Sequence, residues 1–200
     1  MADVTVKMIK ELRDRTQCGM VDCKKALEET AGDMEKAVLF LRKKGLARAA
    51  KKAGREASDG LVWSYIHGEG RIGVLIEMNC ETDFLARTPE FQKLANEVAM
   101  QIAASSPQYV TRDQVPEEEI EKEKEIRAAA LREEGKPDKI IPKILEGQIN
   151  KWLAEICLME QTYNRDRNLT IEELIKELSG KTGENIVVRR FARYELGEQS

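Results

Sequence analysis

With 200 residues, 42% of them apolar and 34% charged, the chain has material for one ordinary domain plus a small satellite, under a heavily solvated surface. A formal net charge of −3 excludes a protein that tracks nucleic-acid phosphates along its whole length, because that task needs a clear basic excess. No apolar run approaches the ~20 residues of a membrane span, and MADVTVKMIKELRD lacks the apolar core of a secretory signal, so no membrane and a cytoplasmic location are expected.

Aromatic residues make up only 5%, which leaves the core to Ile, Leu, Val, Met and Ala and leans the chain towards helix. Cys18 and Cys23 have no nearby His or further Cys to complete a zinc tetrad, and Cys80 and Cys157 stand apart, so reduced, packed thiols and no metal are expected. His67 is the single histidine, which removes triads and His-rich sites. No cofactor is implied, and no enzyme active site.

Residues 1–45 read as three short helices. Val4, Met8 and Leu12 make one stripe, and Gly19 breaks it. Cys23, Ala26 and Leu27 face inward in a second helix that Gly32 stops. Asp33 caps a third, in which Met34, Ala37, Val38 and Leu41 fall at helical spacing, with Gly45 closing it. Three helices of this length bury only a small core, and such a bundle usually serves as a docking module. Segment 46–59 is expected as a basic linker helix. Within 42–55, RKKGLARAAKKAGR, there are seven Lys/Arg and no acid, which fits a solvated linker or a patch for RNA or an acidic partner. No aromatics are interleaved for base stacking, which weakens the RNA option.

From residue 60 onwards an α+β core is expected. Leu61–His67 and Ile72–Cys80 alternate with period two around Gly68-Glu69-Gly70, an antiparallel hairpin. Ile72, Val74, Ile76, Met78 and Cys80 share one face. Thr88-Pro89 opens a helix with Phe91, Leu94, Ala95, Val98 and Ile102 inward. A helical hairpin is expected at about 116–159. Its first helix follows Pro116, and its second runs from about Asp138 to Met159 with Ile141, Leu145, Gln148, Trp152 and Ile156 on one face. Pro142 is tolerable there only in the first turn. Thr170 to Glu173 is a capping box, and Ile186–Leu196 is the last of three strands in one antiparallel sheet with flanking helices.

Two stretches carry a resemblance to a known family. LRDRTQCGMVDCKKAL, from Leu12 to Leu27, resembles the N-terminal signature of the elongation factor Ts family, and EMNCETDFLAR, from Glu77 to Arg87, is similar to its second signature. GDMEKAVLFLRKKG, SYIHGEGRIGVLIEMN and GKPDKIIPKILEGQINKWL also fit, so the resemblance covers essentially the whole chain. The family's Gly-Ala-Gly-Met loop is here Gln17-Cys18-Gly19-Met20, and Leu85 stands where Val usually follows Thr-Asp-Phe. Long members carry a second sheet-containing module for which this chain has no room.

The resemblance implies a guanine-nucleotide exchange factor that binds elongation factor Tu and promotes GDP release during protein synthesis, with no covalent chemistry of its own. Thr82, Asp83, Phe84 and Leu85 fall at the positions that dislodge the partner's Mg²⁺, and Arg13, Met20, Val21 and Lys24 at positions that touch its GTPase domain. Residue pattern alone makes Phe84 a buried anchor, Asp83 a helix cap, Met20 and Val21 packing residues, and Arg13 and Lys24 solvated charges. No role is assigned to Trp63 or His67. A three-helix unit of this kind also resembles ubiquitin-associated domains, which keeps a peptide-binding adaptor open as an alternative, and segment 42–55 keeps a ribosome- or RNA-binding protein open as another. With a single sheet module and two open sheet edges, the short chain is expected to form a homodimer.

Overall fold

The computed structural model describes residues 4–16 and 18–198; Gln17, the first residue of the loop compared above, lies outside them. The described residues form eight α-helices and one three-stranded sheet, an α+β protein as expected. They divide into two compact units, one made of the described residues within 4–61, 79–92 and 173–187, the other of 62–78, 93–172 and 188–198.

The first unit begins with α1 (Val6–Thr16), α2 (Met20–Glu29) and α3 (Met34–Ala50). Ile9, Leu12, Cys23, Ala26, Leu27, Ala37 and Leu41 form their common core, and Val4, Met8, Met34 and Val38 pack against its rim. The helix ends follow the local chemistry. Gly32 N–H donates to the Leu27 carbonyl at 2.8 Å, which ties off the last turn of α2. Asp33 then caps α3 by accepting the Lys36 N–H at 3.0 Å.

Gly45 does not end α3, which runs on to Ala50, so part of the expected linker helix is the last portion of α3. Glycine in a helix interior costs only about 1 kcal/mol, so α3 runs through it, and its backbone becomes the floor of a close crossing. Gly180 of α8 (Ile171–Thr182) sits so near that a Cβ added there would lie 2.5 Å from the Gly45 carbonyl oxygen. Arg42 bonds Glu177 at 2.7 Å one turn before each glycine.

The sheet has the order β1-β2-β3, from β1 (Asp59–His67), β2 (Ile72–Cys80) and β3 (Val187–Glu195), so β2 is central and antiparallel to both neighbours. The expected turn joins β1 to β2, with Gly68, Glu69 and Gly70 all at positive φ. Val74, Ile76, Met78 and Cys80 are buried on one face of β2, and Leu75 is exposed on the other. In the second unit that inner face meets α5 (Pro89–Ser105). Trp63 Nε1 donates to Asn96 at 3.2 Å, and Arg193 donates to the Ala103 carbonyl. Phe91, Leu94, Ala95, Val98 and Ile102 are all buried along α5, as their spacing requires.

The helical hairpin is α6 (Glu117–Glu133) packed on α7 (Ile141–Ile156). α7 starts three residues later than the sequence suggests, which puts Pro142 in its first turn. Its buried stripe is Ile141, Ile149, Leu153 and Ile156, rotated from the expected one. Gln148 and Trp152 flank that stripe because one is polar and the other large and amphipathic, while Ile149 and Leu153 bury without leaving a polar atom to satisfy.

Candidate functional site

β2 delivers the chain to Cys80, and a tight turn follows. Thr82 is extended, at φ −135° and ψ 150°, and its hydroxyl oxygen accepts the Leu85 N–H, which starts the single-turn helix α4 (Asp83–Ala86). Thr88 closes it, donating its hydroxyl to the Leu85 carbonyl at 2.8 Å and accepting the Phe91 N–H at 3.3 Å, so α5 begins with no slack. Successive helical residues point about 100° apart, and on one turn they cannot all face the core. Leu85 and Ala86 take the inside, with 6% and 7% exposed. Phe84 is left outside, 81% exposed.

Local pattern therefore misassigns two residues: Phe84 is not a buried anchor, and Asp83 is not the cap, which is Thr82. Asp83 lies in the first turn and pairs with Arg87 at 2.9 Å across a highly exposed rim. The four residues Thr82–Leu85 thus make a small cap, two outward groups and one inward anchor.

Below this turn lies a polar bolt that sequence reading did not find. Thr82 donates both its N–H (3.0 Å) and its hydroxyl (2.7 Å) to the Glu184 carboxylate. Asn185 N–H donates to Glu81 at 2.7 Å, and Arg55 reaches Glu81 at 3.4 Å. The Asn185 N–H holds the Glu81 carboxyl below its ordinary value, with Arg55 adding to it. Burial pushes the Cys80 thiol up to about 11, and the Glu184 charge adds to that. The bolt joins positions more than a hundred residues apart, so periodicity carries no trace of it; Gly183, at φ +79°, is the one local hint that the chain turns sharply there.

Arg13 on α1 and Met20, Val21 and Lys24 on α2 are all exposed. Met20 is 37% and Val21 67% exposed, so neither packs inside the bundle as the bland reading expects. Lys24 makes a long pair with Glu28, at 3.7 Å. The structure puts this group and the Thr82–Leu85 turn on separate elements of the first unit.

The basic stretch is less free than its sequence suggests. Arg42 pairs with Glu177, Lys44 and Arg48 with Asp22, and Arg55 with Glu81. Arg48 and Lys44 hold the Asp22 carboxyl below its ordinary value. Cations neutralised inside the molecule add little to the attraction of a polyanion. Trp63 and His67 lie on the inner face of β1, where Trp63 bonds Asn96 and His67 bonds the Tyr65 hydroxyl at 2.9 Å. No helix among the described residues is long and apolar enough to cross a membrane.

The family described as Elongation factor TS matches residues 22–198. A protein of Syntrophomonas wolfei named Elongation factor Ts is 59% identical over 195 residues, which cover 98% of this chain and 91% of that protein. One of the same name from Desulforamulus reducens is 57% identical over 198 residues, 99% of this chain and 91% of the other. Another from Moorella thermoacetica is 59% identical over 190 residues, 95% of this chain and 94% of the other.

Proposed function

The chain belongs to the elongation factor Ts family and has a role in translation elongation, and from that premise we propose that it is a guanine-nucleotide exchange factor for elongation factor Tu. The observation that carries this reading is Phe84, a large aromatic left 81% exposed on a one-turn helix whose cap and anchor are fixed. Burying such a side chain is worth about 1.5–3 kcal/mol, and the free chain forgoes that gain. A partner that receives Phe84 collects it.

In this reading Asp83 and Phe84 enter the partner's GTPase domain beside its Mg²⁺, with Thr82 capping and Leu85 anchoring the turn that presents them. Mg²⁺ tolerates little departure from octahedral ligands at about 2.0–2.1 Å, so a small displacement of its surroundings releases it. The β-phosphate charge is then poorly compensated, and GDP leaves. A nanomolar nucleotide is held by about 12 kcal/mol, more than one aromatic wedge can offset. The rest must come from contacts that favour the nucleotide-free partner, for which the exposed Arg13, Met20, Val21 and Lys24 of the first 45 residues are the docking group. Linkage makes the effect reciprocal: nucleotide rebinding weakens the exchange factor by the same factor, which permits turnover.

The factor makes and breaks no covalent bond, acts in the cytoplasm, binds no nucleic acid directly and pairs as a homodimer. Elongation factor Tu loaded with fluorescent GDP tests the central point. Added protein should accelerate GDP release in proportion to its concentration until saturation; release at the spontaneous rate would refute exchange activity.

A further inference from the structure

Two segments far apart in sequence each place a carboxylate on the other's backbone N–H at the root of α4. The Glu184 carboxylate takes the N–H and hydroxyl of Thr82, and the Glu81 carboxylate takes the N–H of Asn185. Glu184 is itself tightly held. The hydroxyl of buried Ser179 donates to its carbonyl at 2.5 Å, and the Thr182 hydroxyl accepts its N–H at 3.4 Å. Asn185 is fixed in turn by donating its side-chain amide to the Arg55 carbonyl at 2.7 Å.

α4 needs such support. A single helical turn has paid for nucleation without any propagation, so it has no stability of its own. Its cap bond, from Leu85 N–H to the Thr82 hydroxyl oxygen, is long at 3.4 Å. Phe84 touches too little to orient itself. The direction in which it points is therefore set at one end by Thr82 and on the inner side by buried Leu85 and Ala86, and Thr82 is held by a carboxylate that accepts two bonds. Charge-assisted bonds of this kind are roughly twice as strong as neutral ones.

We propose that Glu184 is a positioning residue for nucleotide exchange, whose carboxylate locks Thr82 and thereby aims Phe84 at the partner. This rests on Phe84 being the wedge, and it adds a residue outside both family signatures. Glu184 acts through geometry and not by touching the partner's nucleotide site. Its removal should lower the rate of GDP release at saturating factor while leaving the concentration for half-saturation almost unchanged.

The test uses the full chain and elongation factor Tu carrying fluorescent GDP. Glu184→Ala should cut the saturating release rate about tenfold, with half-saturation moved by less than about twofold. Glu184→Gln keeps an acceptor oxygen for Thr82 and should recover part of the rate. Placed on a chain that already carries Asp83→Ala and Phe84→Ala, Glu184→Ala should reduce the rate no further, since it acts only through the turn that presents those two side chains. Amide hydrogen exchange of the free protein should quicken at 82–86 in Glu184→Ala and stay unchanged in the α1–α3 core. An additive loss in that combined variant, a change confined to half-saturation, or a wild-type rate in Glu184→Ala would each overturn the proposal. Where Glu184→Ala fails to fold, Glu184→Gln carries the same comparisons. An impaired Phe84→Ala beside a normal Glu184→Ala removes the positioning role alone; a normal Phe84→Ala removes the wedge and this proposal together.

Discussion

Phe84 and Asp83 can be changed at little structural expense. The ring contributes almost no burial, and the exposed Asp83–Arg87 pair is worth at most about 1 kcal/mol. Phe84→Ala and Asp83→Ala should therefore melt within a few degrees of the parent yet lose most exchange activity, read by calorimetry and by fluorescent GDP release. Asp22 makes a prediction of the opposite kind. Its folded pKa lies below the ordinary 3.8 because Arg48 and Lys44 favour the charged form. A depressed carboxyl contributes stability above its unfolded pKa and loses it as pH falls through the folded value. Asp22→Asn should lower the melting temperature at pH 7, and the difference from the parent should shrink as pH drops below about 4. A difference constant with pH would show that the ion pairs carry no net stability. Among the cysteines, Cys80 and Cys157 are buried with thiols pushed up to about 11, so both should resist alkylation of the native protein at pH 8, while half-buried Cys18 labels first.

Two glycines decide how α3 and α8 cross, and they are not equivalent. A methyl group at Gly45 would meet the Gly180 Cα at 3.9 Å, an ordinary contact, so Gly45→Ala should gain helix propensity of up to about 1 kcal/mol. At Gly180 the same methyl would meet the Gly45 backbone at 2.5 Å, which no rotamer can relieve. Overpacking costs about 1–3 kcal/mol or more and outweighs the propensity gain. Gly180→Ala should therefore lower the melting temperature, by about 2–4 °C for each kcal/mol lost in a chain of this size, while Gly45→Ala holds or raises it. The helical hairpin shows a different rule at the same scale. Both spacings available to α7 are helical, and the choice of Ile149 and Leu153 over Gln148 comes from which side chains bury without an unmet hydrogen bond.

For the whole molecule, assembly turns on the sheet. β1 and β3 are its edges, and the outer face of the hairpin exposes Val62, Ile66 and Leu75. Apolar side chains on an open face beside unpaired strand edges invite a second sheet, and two-fold pairing is the commonest way for one chain to supply it. Light scattering at micromolar concentration should give about twice 22.7 kDa; a mass near 22.7 kDa would reject the dimer.

Much of the architecture was legible in advance because short-range periodicity sets it. The three N-terminal helices, the hairpin around Gly68–Gly70, the α5 stripe and the final strand are all dictated by which neighbours can share one face. The Thr82–Leu85 and Arg13–Lys24 groups were singled out by their family signatures, whereas local pattern alone would have buried Phe84, Met20 and Val21, which are exposed. Tertiary structure decided the rest. Whether position 180 can carry a side chain depends on the Gly45 backbone, 135 positions away, whether the basic stretch is free depends on Asp22, Glu81 and Glu177, and what holds Thr82 depends on Glu184. A helix or strand face is fixed by residues a few positions apart, but a close crossing, an ion pair or a carboxylate clamp exists only once the chain has brought distant residues within a few ångströms.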